Sequence, residues 1–351
     1  MEQPVLRLGL LGFGPTDKFK VAQAISQPNP GWPSWELVEF EQADAWCING
    51  AAVERLDGNK VRVRTLQVTQ PVISLDPADI KRPVAFTEPM PAELDAAEIV
   101  SFKNPQLLRV GLQRFEAWLR PVRAQFALGS ELISRENELK KGVYHVIDSH
   151  GTLLAVINLI NWTVALMPVA RPVDFEEATW VQRPPMAADT PPGFTVVSVV
   201  QLMWTYAVRT TQDALPSRYR KDTIYLRKLP HLPPGWLQDE HLVALRALSS
   251  ESGKFADLLQ TTGLTETMLA QTLAALYFAG AITTRRSSAA SAQSVRSPVG
   301  DSSSLPPDSH SFGHPPSLPP VDSHARGGHR LPRFGQNDGT APAPLFSFKF
   351  R

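Results

Sequence analysis

Asp44-Ala45-Trp46-Cys47-Ile48-Asn49-Gly50 is a short apolar run that stops on a polar amide and a glycine. A run of this length, bounded by turn residues, reads as a buried strand rather than a helix. The same shape recurs on both sides. Val5 to Leu11 is strand-like and passes into Gly12, Gly14 and Pro15, and Trp35 to Phe40 alternates apolar with polar. Pro83 to Thr87 and Ile99 to Lys103 are two more short runs. Between them, Phe19, Val21, Ala22 and Ile25 suit a helix, and Leu108, Leu112, Phe115 and Leu119 mark one face of another. Strands alternating with helices predict a doubly wound α/β domain with a parallel sheet over residues 1–120. From Lys60 to Asp76 the rhythm changes. Val61-Arg62-Val63-Arg64 alternates like an exposed strand, so the expected fourth helix is weak or missing.

The strand ends carry a further pattern. Asn49 closes one run, Thr87 closes the next, and Lys103 is followed by Asn104-Pro105. In this the first 105 residues resemble the receiver domain of bacterial two-component response regulators, a flavodoxin-like fold. The resemblance implies a phospho-accepting Asp at the end of the third strand, an acid pair for magnesium after the first, a Thr or Ser ending the fourth, and a Lys before Pro ending the fifth. Here Asn49 stands at the acceptor position, and Gly12 to Pro15 hold no acid; Asp17 falls in the following helix. An amide is a poor nucleophile toward phosphorus, and magnesium needs hard oxygen ligands in an octahedral array. The resemblance therefore implies a degenerate, phosphorylation-independent receiver-like pocket of Asn49, Thr87 and Lys103.

The rest of the chain divides by composition. Arg123 to Lys140 is helical after a break at Pro121, so 121–141 is a linking helix. Residues 142–232 read as a mixed α/β unit with β-hairpins: strands at Tyr144 to Ile147, Leu153 to Leu159 and Thr163 to Met167, and the turn Asp148-Ser149-His150-Gly151. Val196 to Val208 suits a buried helix with Leu202, Met203, Tyr206 and Ala207 inward. Residues 233–285 form a small winged-helix-like helical unit. Its stripes are Leu242, Leu245 and Leu248, then Phe255, Leu258 and Leu259, then Met268 to Tyr277, and Ala281 to Thr283 suits a small strand. From 286 to 344 the chain is Ser, Pro, Gly and His with few large apolar residues, which predicts a disordered C-terminal linker. The last stretch, 345–351, is a peptide motif whose Phe346, Phe348 and Phe350 alternate and would face one side of an extended strand added to a partner's sheet edge.

Composition bounds the chemistry. The chain has 351 residues, 43% of them hydrophobic, a formal net charge of +1 and one cysteine, Cys47. A near-neutral balance argues against wholesale nucleic-acid or acidic-membrane binding. A lone cysteine excludes an internal disulfide and fits a reducing cytoplasm; in a strand it reads as a small buried hydrophobe. No signal peptide is apparent at Met1-Glu2-Gln3-Pro4. Leu153 to Pro168 is apolar but shorter than the roughly 20 residues that span a bilayer, so no membrane crossing is expected.

No catalytic set stands out. Gly9, Gly12 and Gly14 do not fit a dinucleotide or P-loop pattern and read as tight-turn glycines. Asp148, Ser149 and His150 are adjacent, whereas triad members converge from distant positions. His310, His314, His324 and His329 lie in the polar tail without metal-ligand spacing, so neither metal nor cofactor is expected. Arg218, Arg220, Lys221, Arg227 and Lys228, interleaved with Tyr219 and Tyr225, form the densest basic stretch and a candidate anion site; otherwise they are a solvated strand face. The helix from Thr265 to Gly280 lacks Lys and Arg, a thin endowment for duplex DNA, with Arg285 and Arg286 where a wing would be.

The sequence thus predicts a cytoplasmic, non-enzymatic bacterial signalling adaptor that docks protein partners of its pathway. The alternatives are a transcription regulator binding DNA through 237–286 and a sensor of an anionic nucleotide-type ligand near 218–228.

Overall fold

A computed structural model describes residues 2–26, 32–56, 60–64, 73–75, 82–91, 99–101, 104–233 and 235–289. The chain opens with β1 (Val5–Leu11), α1 (Pro15–Ile25), β2 (Ser34–Val38) and β3 (Ala45–Asn49). Then come β4 (Val53–Arg55), β5 (Val61–Val63), β6 (Ile73–Leu75), β7 (Val84–Thr87) and α2 (Pro105–Trp118). Strands β2, β1, β3 and β7 lie in that order in a parallel sheet, and Phe86 forms a further parallel bridge to Ile99.

Side chains alternate across each strand, and the two faces are covered differently. Leu6, Leu8, Leu10, Ala45, Cys47 and Ala85 pack with Val21 and Ile25 of α1 and with Leu108, Leu112 and Phe115 of α2. Leu11, Ile48 and Phe86 pack instead with Val53, Val61 and Val63. Those valines belong to an antiparallel sheet of order β4-β5-β6, which occupies the sequence between β3 and β7. The helix read as weak there is replaced by strands. The alternating Val61-Arg62-Val63 was expected on an exposed strand, yet both valines are 0% exposed while Arg62 faces out. On α1 the buried face is Val21 and Ile25, and Phe19 is 70% exposed.

The helix α2 ends at Trp118, and α3 (Arg120–Ser134) starts anew with a proline in its first turn, where the missing N–H costs nothing. It stops short of Lys140: the charged segment after Ser134 forms turns, with Glu138 and Leu139 N–H groups both donating to the Arg135 carbonyl. Next come β8 (Val143–Ile147), β9 (Leu153–Asn158), β10 (Thr163–Leu166), β11 (Thr179–Arg183) and β12 (Thr195–Ser198), an antiparallel sheet of order β11-β8-β9-β10-β12. The helix expected from Val196 is instead β12 followed by α4 (Val199–Ala207). The β-branched Val196 and Val197 pair with β10, and Ser198 opens α4 by a reciprocal cap with Gln201, both bonds 3.0 Å. Leu202, Met203, Tyr206 and Ala207 are buried as read.

The chain then forms α5 (Arg218–Lys221), β13 (Tyr225–Leu226), α6 (Asp239–Ser250), α7 (Phe255–Thr262), α8 (Glu266–Phe278) and β14 (Ile282–Thr283). α8 packs against both α4 and α6. Leu269, Ala270, Leu273, Ala274, Leu276, Tyr277 and Phe278 are all buried, so its helical surface is enclosed nearly all round. On α6 the buried face is His241, Ala244, Leu245 and Leu248, whereas Leu242 is half exposed. β14 pairs with β13, which precedes the helices, and Arg286–Ser288 continue as a short 3-10 helix. Among the described residues no hairpin wing follows α8. One apolar core runs from Ala124 to Ile282, so the segments read as linking helix, mixed unit and helical unit share a core. Residues 290–351, including most of the segment read as disordered, lie outside the described residues. Among those described, no helix is long and apolar enough to cross a membrane.

The parallel-sheet part joins this core through the α2–α3 junction, where Val122 packs on the parallel-sheet cluster, and along a polar seam. Just beyond α4, Arg209 donates to Asp44 through Nη1 and Nη2, both at 2.6 Å, and each side chain is only 12% exposed. Asp44 also accepts the Arg7 backbone N–H at 2.9 Å, and Val5 N–H donates to the Arg209 carbonyl at 2.9 Å. Glu2 accepts from Thr211 N–H at 3.0 Å and from the Thr210 hydroxyl.

Two outcomes are expected. Asp44→Ala strands the Arg209 guanidinium in a largely buried site, which should cost about 3 kcal/mol in denaturant unfolding; Asp44→Ala with Arg209→Met should recover part of that loss. The second concerns His241, buried against Trp204 with ring centroids 4.7 Å apart. Burial first, then the charge of Arg7, lowers its pKa from 6.5 to about 4. Between those values the unfolded chain holds a proton that the folded chain does not. The contribution is therefore complete above pH 6.5 and declines as pH falls to about 4, by roughly 3 kcal/mol in all. Denaturant melts across this window should show the decline in the native chain and a flatter profile in His241→Phe.

Candidate functional site

The ends of β1, β3 and β7 meet at Asn49. Its Nδ2 donates to the Gly12 carbonyl at 2.9 Å, and its Oδ1 accepts the Ala51 N–H at 3.1 Å. The Thr87 hydroxyl lies 3.5 Å from the same Oδ1 and accepts the Gly50 N–H at 3.3 Å. Gly12, just past β1, has φ +76°, a left-handed conformation that suits glycine and turns its carbonyl to the amide. Gly50 is confined from the other side: a Cβ there would collide with the carbonyl oxygen of Thr87. Sheet register therefore brings Asn49 and Thr87 together, directly paired in β3 and β7.

The chemistry of this cluster needs an amide. A carboxylate at position 49 could accept from Ala51 but has no proton for the Gly12 carbonyl. Asp17, the nearest acid in sequence after β1, sits in the first turn of α1, about half exposed and 3.6 Å from Lys20. Cys47 is buried, and burial pushes its thiol far above the ordinary range, as expected for a core residue. Lys103 lies outside the described residues.

The basic stretch folds differently from the strand face considered for it. Arg218, Arg220 and Lys221 are on the short α5, and Arg227 and Lys228 follow β13. Arg220 donates to Asp213 at 2.7 and 3.0 Å and to Glu266 at 3.0 Å, and stacks 4.7 Å from the Phe255 ring centroid. Arg218 lies over the rings of Tyr219 and Tyr277 at 5.2 and 5.4 Å. Lys221 and Lys228 are exposed, and the Arg227 N–H donates to the Ala281 carbonyl. Two of the charges are thus engaged inside the fold. Phe346, Phe348 and Phe350 lie outside the described residues. Asp148 builds its own turn, accepting from the His150 and Thr152 N–H groups at 2.9 and 2.7 Å.

Sequence reasoning missed the arginines that gather at the seam. Arg7, Arg82 and Arg209 come from β1, the approach to β7 and the segment after α4, and all line one cleft beside Asp44. Asp44 and Arg209 are 165 residues apart, and no local period could have linked them.

Comparison with protein-family models, with curated proteins and with solved structures found no match.

Replacing Asn49 by Asp should lower stability by about 1–3 kcal/mol, the range for leaving one buried polar partner unsatisfied. Asn49→Asp is compared with Thr87→Val, which loses only the weaker bonds of the cluster, by chemical denaturation at neutral pH.

Proposed function

We propose that the chain is a non-enzymatic bacterial signalling adaptor whose first domain is a degenerate, flavodoxin-like receiver scaffold working without phosphorylation. The observation that carries this reading is Asn49, at the β3 terminus, using both ends of its amide to bind Gly12 and Ala51. The strand order β2-β1-β3-β7, extended by the bridge at Ile99, supports the scaffold. So does the placement of α1 and α2 on one face. The small antiparallel sheet on the other face departs from the receiver pattern. With an amide in the acceptor position and no acid at Gly12 to Pro15, aspartyl phosphorylation has neither its nucleophile nor its metal ligands. Signals then pass by docking of protein partners.

A transcription-regulator reading fares less well against the described residues. The candidate recognition helix, α8, is enclosed between α4 and α6, and a helix that reads DNA must present its side chains to a groove.

Incubation with acetyl phosphate and magnesium should leave the protein unlabelled by intact mass, for both the native chain and Asn49→Asp. A stable phosphoryl adduct on the native chain would overturn the reading. In gel shifts at low and moderate salt, no tight duplex binding is expected.

A further inference from the structure

The seam between the parallel-sheet part and α4 borders an open cleft of about 370 Å³. That is within the span of small-molecule sites, roughly 300–1,000 Å³. Its charged lining is three arginines, Arg7, Arg82 and Arg209, against two acids, Glu41 and Asp44. Asp44 is fully committed: its oxygens take both terminal nitrogens of Arg209 and the Arg7 N–H. Arg7 has a second acid partner outside the cleft, Glu36, at 3.1 Å. Arg82 differs. Its Nη1 donates to the carbonyls of Ala43 and Glu41, at 2.5 and 3.4 Å, and its guanidinium lies 4.5 Å from the Trp46 ring centroid. Among the described residues no carboxylate forms an ion pair with it. Arg209, though paired, leaves Nε buried without a hydrogen-bond partner among the described residues.

The charge of Asp44 acts on Arg82 from a distance, but burial outweighs it and no carboxylate among the described residues is in ion-pair contact, so this half-buried cation is incompletely compensated. The guanidinium fork suits the tetrahedral, multi-oxygen geometry of phosphate. Trp236 adds a partly buried aromatic wall to the same cleft. By contrast, Arg220 in the basic stretch already has carboxylates of Asp213 and Glu266 against it, and an incoming anion there would meet both.

We propose that this cleft binds a small phosphomonoester, with the phosphate received at Arg82 beside Arg7 and Arg209 and the body of the ligand against Trp236. Such a ligand touches the N-terminal sheet and the segment after α4 at once, so its binding tightens the seam.

Calorimetric titration of the full chain with adenosine monophosphate, inorganic phosphate and adenosine tests this. Saturable binding is expected for the two phosphate-bearing probes and none for adenosine. Arg82→Met, which keeps the stem over Trp46, should weaken both by at least about tenfold, equivalent to 1.4 kcal/mol. Arg220→Met should leave them unchanged. Because Arg82→Met could disturb the fold, hydrogen exchange of the native chain is read in parallel. Adenosine monophosphate should slow exchange at residues 41–44 and 205–209. No saturable binding of either phosphate probe, binding indifferent to Arg82→Met in a folded variant, or protection confined to other segments would each overturn the assignment.

Discussion

Asp44 sits at the mouth of β3, where three N–H donors converge on one carboxylate, two from Arg209 and one from the backbone of Arg7. Charge-assisted bonds of this paired geometry are stronger than neutral ones and fix orientation as well as distance. Apolar clusters lie on either side of the seam but are separate: one holds the parallel sheet to α1 and α2, the other runs from α3 to β14. Polar bonds therefore fix the mutual orientation of the two halves together with the tight α2–α3 junction, where Val122 of α3 packs on the parallel-sheet cluster. The same constraint draws Arg7 and Arg82 to the cleft edge, since both approach the strand end that Asp44 introduces.

Asn49 exerts a second constraint at the opposite end of β3. Its amide joins the termini of β1 and β3 and touches Thr87 at the end of β7. Those strand ends are where open α/β sheets usually leave a crevice for ligands. Here part of that space is taken up by internal hydrogen bonds and by the close approach of Gly50 to the β7 backbone. Asn49 is thus a structural joint between these strand ends.

Much of the fold was legible where a local pattern reports burial directly. Val5–Leu11, Ala45–Asn49 and Val84–Thr87 are apolar runs ended by turn or polar residues, and each is a strand of the parallel sheet. The face Leu108, Leu112, Phe115 and Leu119 is buried as its spacing implies. Legibility failed where an apolar residue sat on the wrong side of a sound helix, as with Phe19 and Leu242. It failed again where a period has two environments. Alternation at Val61 to Val63 identified a strand but not that the sheet's second face would bury it. In the candidate site, the pairing of Asn49 with Thr87 followed from strand order, whereas the Asp44–Arg209 seam carried no local signal at all.

The pairing of β13 with β14 closes a loop around all three C-terminal helices, because one strand is contributed before α6 and the other after α8. The helices are therefore not an excisable module. A fragment beginning near residue 233 would leave β14 without its companion and strip α4 from the flank of α8, baring the apolar side chains of that face. Dissection of this protein for binding work is better served by cutting after residue 289, where β14 is already paired, than by separating what the primary structure presents as consecutive domains.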